Sequence, residues 1–196
     1  MAMSARDQIL LTAQKVFNDF GYRRASMADV SRAAGVSRQG LYHHFRSKPE
    51  LFIAVIEKAH ADTVNRSMQA RDAAQARGDD YETIVTAMID ERFGEMLRDL
   101  QKTPHRVEIF EEAMKRAAPA ILEQTRRFHV LLTELTQSEI KAGRLKLAKN
   151  LSVDDLLTAF ATMARGISLM QPPPDPHRLK EEYARYIHLL MHGARA

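Results

Sequence analysis

The stretch SMADVSRAAGVSRQGLYHHFRSK, from Ser26 to Lys48, decides the fold of this 196-residue chain. Two short helical patterns flank a tight turn, Ala34-Gly35-Val36-Ser37. Ser26 caps the first helix, with Asp29 three residues on as a variant capping box. Met27, Val30 and Ala34 point inward. Gly35 makes the turn, Val36 plugs it and Ser37 caps the second helix. Leu41 and Phe45 hold that helix down, which leaves Arg38, Gln39, Tyr42 and His43 outside. A helix pair of this size, its second member rich in Arg, Gln, Tyr and His, suits a DNA major groove.

Upstream, Ser4 starts a helix with Ile9, Ala13, Val16, Phe17 and Phe20 on one face, and Gly21 supplies a left-handed stop. Downstream, Ser47-Lys48-Pro49-Glu50 opens a long helix that runs from Pro49 to about Arg77 and stops at Gly78. Beyond it the apolar residues recur at helical spacing. Tyr81 to Met96 form one stripe, and Pro104 interrupts it. Val107, Phe110, Ala113 and Met114 form a shorter helix. Ile121, Leu122, Phe128, Leu131, Leu132 and Leu135 lie on a long helix closed by Gly143. Ser152 caps the next, the QPPPDP run at 171–176 is a stiff connector, and Asp175-Pro176 starts the last helix. The expectation is an all-α chain of about nine helices: a three-helix head over 1–50 and a helical-bundle body over 51–196.

Composition agrees. At 45% hydrophobic content the chain fills a real core. It has no Cys, which excludes disulfides and thiolate metal sites and suits a reducing cytoplasm. No apolar run approaches ~18 residues, so no membrane span is expected, and the N-terminus lacks a signal peptide's apolar core. The net charge is +4, and residues 1–50 carry all of it, with eight Lys/Arg against four Asp/Glu. The remaining residues hold 21 of each sign, leaving a basic head on a neutral body.

Ala33-Ala34-Gly35-Val36-Ser37, Leu41-Tyr42-His43-His44-Phe45 and Lys48-Pro49-Glu50-Leu51 together resemble the TetR/AcrR family of bacterial repressors. The match covers roughly residues 6–55. Where many members have a small residue and then Thr or Ser, this chain has Gln39-Gly40, which bears on the bases read. The resemblance implies a DNA-binding head and a body that binds a small-molecule effector. It also implies a homodimer formed by the last two long helices, and repression relieved when effector moves the heads apart.

Within that frame Arg38 and Gln39 stand where base edges are reached: Arg pairs with guanine O6 and N7, Gln with adenine N6 and N7. Gly40 either lets the backbone approach the DNA or leaves a thymine methyl unread. Tyr42 and Lys48 are assigned to phosphate, which fixes register without reading sequence. His43 projects to phosphate or base. His44 has two readings, packing on the first helix or facing phosphate. Ser26 and Ser37 present helix N-terminal amides to phosphate, and Arg23 and Arg24 flank them.

Met88, Phe93, Met96, Phe110, Met114 and Phe128 are the candidates to line an effector cavity, for an apolar or aromatic ligand. The same stripe also reads as plain core. For the dimer interface the candidates are Leu156, Phe160, Met163, Ile167, Tyr183, Ile187 and Leu190, whose other reading is completion of the monomer core.

The leading reading is a homodimeric repressor on a palindromic, double-stranded operator, released by a small molecule. The alternative is a regulator whose body binds a protein partner. No nucleophile–base pair, phosphate loop or metal spacing points to an enzyme. His188 and His192, four apart, have no third ligand nearby in sequence, and no cofactor or metal is expected.

Overall fold

The computed structural model describes residues 4–170 and 172–194. The first residue of the expected connector, Gln171, and the few residues at either terminus lie outside the described residues. Ten α-helices follow in order: α1 (Ala5–Arg24), α2 (Met27–Ala33), α3 (Arg38–His44), α4 (Lys48–Arg77), α5 (Tyr81–Ile89), α6 (Glu95–Gln101), α7 (Arg106–Arg116), α8 (Ala118–Lys141), α9 (Val153–Ser168) and α10 (Leu179–Ala194). A π-helical turn, Asp90–Gly94, joins α5 to α6. That join makes one continuous rod over 81–101, so the described residues form nine rods and no strand, the all-α fold expected.

Local chemistry sets the ends. Ser4, Ser26, Ser37, Asp80 and Ser152 each accept a backbone N–H with the side chain at the first turn of α1, α2, α3, α5 and α9. Ser26–Asp29 and Ser152–Asp155 are full capping boxes. Gly21, non-helical at φ 76°, interrupts α1 where the stop is expected, and a short helical turn follows to Arg24. Lys48, one residue before the expected Pro49, opens α4.

The chain divides into two compact units: residues up to Ala61 with Asp99–Gln124, and Asp62–Arg98 with the residues from Thr125 on. The head expected over 1–50 lies inside the first unit, to which the expected body lends α7 and the start of α8. The first unit is built on Ile9, Leu10, Val16, Phe17, Val30, Leu41, Phe45 and Phe52, with Ile109 and Ala113 from α7.

Of the α7 residues grouped by helical spacing, Ala113 goes inward and the other three do not. Val107, Phe110 and Met114 are 62%, 52% and 49% exposed, while Ile109 and Ala113 go inward with Glu112. Two carboxylates explain this orientation. Glu108 Oε1 accepts the Arg23 N–H at 2.6 Å just past the Gly21 kink, and buried Glu112 binds Arg116 at 2.6 Å. Satisfying those groups fixes the helix phase. Phe20 and Leu122, both read as inward, are likewise exposed.

The second unit's core holds Met88, Phe128, Leu132 and Leu135 together with α9 and α10. Leu156, Phe160, Ile167, Tyr183 and Ile187, candidates for a dimer surface, are buried in this core and complete the monomer instead. Burying such a side chain contributes about 1.5–3 kcal/mol, so the widest apolar faces of α9 and α10 turn inward. Met163 and Leu190 stay partly exposed.

Candidate nucleic-acid interface

The α2–α3 pair is closed by short-range bonds. Gly35 turns at φ 65°, the Val36 N–H donates to the Ser31 carbonyl at 3.1 Å, and the Gly40 N–H donates to Ser37 Oγ at 3.0 Å. A Cβ on Gly40 would stand 3.1 Å from that Oγ, so the glycine keeps the cap uncrowded. Leu41 and Phe45 are sealed in the core of the first unit, and α3 therefore turns Arg38, Gln39, Tyr42, His43 and His44 outward. His44 is exposed, edge-on to His43 at 5.7 Å between ring centres, and does not pack into the core. The Arg6 guanidinium lies 5.1 Å from the Phe45 ring and adds a cation to this surface that the motif did not suggest.

Lys48 is the departure. Its Nζ donates to the carbonyls of Tyr22, Arg23 and Ala25 at 3.0, 3.2 and 3.0 Å. An ammonium has three protons, and here all three point at α1 and its C-terminal side rather than outward to a phosphate. Arg23 is largely exposed, 3.8 Å from Glu112. The Arg116 guanidinium holds the Glu112 carboxyl below the usual carboxylate range.

The six residues considered for an effector cavity divide between the two units. Met88 and Phe128 are buried in the second unit, where Phe93 meets Phe128 edge-on at 5.8 Å. Met96 is half-buried there, while Phe110 and Met114 lie exposed on α7, in the first unit. Periodicity alone groups residues by helix face and cannot tell which rods become neighbours.

Asp90 and Glu95 both bind Arg98, at 3.0 and 2.8 Å. The bridge passes over Gly94, where a Cβ would collide with the Asp90 carboxylate. Arg92, in the π turn, is buried, donates to Thr63 Oγ1 at 3.1 Å, and is pushed down to about 10 by burial. His188 bonds Glu82 at 2.9 Å. Among the described residues no three His, Asp or Glu converge as a metal site would require, and no helix is long and apolar enough to cross a membrane.

Residues 9–55 match the model of the bacterial regulatory proteins of the tetR family. Over that segment the chain carries a TetR-family DNA-binding head. The transcriptional activator FasR of Mycolicibacterium smegmatis is 46% identical over 59 residues, which are 30% of this chain and 26% of that protein. A longer match, 27% identical over 166 residues, reaches the transcriptional repressor Rv1474c of Mycobacterium tuberculosis and covers 80% of this chain and 82% of that one. The first relatives are matched over only 26% to 38% of their own length. In fold, the chain is similar to the transcriptional regulator FadR of Bacillus subtilis, solved with stearoyl-CoA: the TM-score is 0.69 at 16% identity, covering 95% of this chain and 97% of FadR.

Proposed function

We propose that this chain is a DNA-binding transcription regulator of the TetR family that reads its operator with α3 and represses until a small molecule releases it. One observation carries the reading: Leu41 and Phe45 pin α3 from below while Arg38, Gln39, Tyr42 and His43 all face solvent. That is the division a recognition helix needs, with Arg38 and Gln39 for base edges and Tyr42 and His43 for the backbone. Lys48 contributes by fixing α1 to the start of α4.

A single head of this size binds weakly, so a homodimer on a palindromic operator belongs to the proposal. With the inner faces of α9 and α10 spent on the core, the outer faces remain for the partner copy. Leu189 is 60% exposed there, and an open groove of about 280 Å³ lined by Leu151, Ala159, Leu190 and Gly193 lies beside it. FadR, with its bound stearoyl-CoA, supports a small-molecule effector with an apolar part. The exposed α7 stripe, Val107, Phe110 and Met114, favours the second reading, a regulator that binds a protein partner.

Selecting bound sites from random double-stranded DNA tests the proposal. The expected product is an inverted repeat whose half-sites lie about 34–36 Å apart, or a multiple, with affinity falling steeply as salt rises. Recovery of no sequence, or salt-independent binding, overturns it. Screening compounds against the selected complex separates the two readings: release by a small molecule supports the first.

A further inference from the structure

The end of α1 is gripped from outside the α2–α3 pair. At Arg23 the Lys48 ammonium of α4 donates to the carbonyl at 3.2 Å, and the Glu108 carboxylate of α7 accepts the amide N–H at 2.6 Å. The backbone donor and the backbone acceptor of one residue are thus each bound to an ionised partner. Such bonds are shorter and roughly twice as strong as neutral ones. Gly21 makes room for the grip. A Cβ there would stand 2.6 Å from Glu108 Oε2 and 3.2 Å from the His105 ring. A second anchor lies nearby on α1, where Thr103 Oγ1 donates to the Asn18 carbonyl at 2.5 Å and accepts the His105 N–H at 3.1 Å.

The side chain of Arg23 is treated differently from its backbone. Its guanidinium is 70% exposed and 3.8 Å from Glu112, while Arg116 approaches the same carboxylate to 2.6 Å. The closer cation takes the Glu112 charge, and an exposed pair at the longer distance is weak. Around this joint Arg23, Arg24, Lys48 and Arg116 outnumber Glu108 and Glu112, so the local charge is positive. A guanidinium in solvent on a backbone fixed from two sides is pre-organised for an anion, because less freedom is lost on contact. Arg23 stands three residues before Ser26, where the helix pair begins, and the anion this pair meets is the DNA backbone.

We propose that Glu108 is a positioning residue for DNA binding: by holding the Arg23 amide it fixes where the Arg23 guanidinium meets a phosphate. This rests on reading the α2–α3 pair as DNA-binding, and it adds to that machinery a residue of α7, far outside the matched segment 9–55.

The test measures affinity of the full chain for a DNA duplex of about 30 base pairs across a salt series, where each neutralised phosphate contributes roughly 0.9 to the slope of log affinity on log salt. Arg23→Gln should lower the slope by about 0.9 for each head bound. Glu108→Ala should lower it by a similar amount, and both changes together by no more than either alone. Glu108→Gln removes the same charge but keeps an oxygen to accept the Arg23 N–H, and should keep the parent slope. Loss of folded protein lowers affinity alike at every salt concentration, so the slope separates positioning from stability. A parent slope in Glu108→Ala, an equally lowered slope in Glu108→Gln, or additive losses in the double variant overturns the inference alone. A parent chain that does not bind the duplex overturns it together with the DNA-binding reading.

Discussion

The ammonium of Lys48 stands 4.7 Å from the centre of the Tyr22 ring and donates to the carbonyl of the same residue at 3.0 Å. A second cation, Arg116, lies 4.6 Å from that ring. The Gly21 kink interrupts the helical ladder at the end of α1, and Lys48 supplies donors to the carbonyls there. Burial raises the Tyr22 phenol above its ordinary range and keeps it neutral beside these cations. The angle at which α1 meets the α2–α3 pair therefore depends on one side chain from α4.

Lys48→Met should remove about 2–3 kcal/mol of stability, since hydrogen bonds to a charged donor are the stronger kind. A melting temperature lower by roughly 4–12 °C is expected for a chain of this size. DNA affinity should fall alike on every sequence. An unchanged melt with weakened DNA binding would return Lys48 to the phosphate contacts.

Gln39→Ala should relax preference at one symmetric pair of operator positions, with about 1–3 kcal/mol of discrimination lost. Tyr42→Phe should lower affinity without changing preference, because a phosphate contact carries no code. Repeating the site selection with each variant checks both.

Leu189→Glu and Phe160→Ala separate interface from core. Leu189 is mostly exposed and Phe160 fully buried. The first change should leave a folded monomer, seen by sedimentation, with little loss of helical signal. The second opens a cavity costing about 3–5 kcal/mol and should lower the melting temperature whatever the oligomeric state.

The Tyr183 hydroxyl is buried with no hydrogen-bond partner among the described residues. Ser168 gives its own hydroxyl to the Ala164 carbonyl at 2.9 Å. Tyr183→Phe removes an unsatisfied polar group and should raise the melting temperature by a few degrees at neutral pH.

Burial pushes Tyr81 and Tyr183 up to about 12 from 10.0. The folded chain thus holds these protons more tightly than the unfolded chain. Their contribution is complete below about pH 10 and is lost as pH rises from there through 12, up to about 3 kcal/mol for each. Melting curves across that window should show the fall, and Tyr183→Phe should make it shallower.

The reading face was legible because its determinants are local. Ser26 and Asp29, Gly35, Ser37 and the Leu41–Phe45 pair act within one or two turns of one another, so spacing alone gives their roles. Glu108 and Arg23 are 85 residues apart, and no periodicity announces that their bond turns α7 by enough to expose Phe110. For α9 and α10, a broad apolar face fits a core and a dimer equally well. The second unit's own core takes Phe160 and Tyr183 and leaves Leu189 outside.

By itself the sequence determined the all-α architecture, the helix caps and the outward set Arg38, Gln39, Tyr42 and His43, because caps and helical faces depend on neighbours a few residues away. Only the tertiary structure decided that Lys48 closes the end of α1, that the apolar faces of α9 and α10 are spent within the monomer, and that Glu108 takes the Arg23 amide. Each of those depends on groups far apart in the chain, and which distant groups meet is settled by burial and by satisfying charges and carbonyls, not by spacing.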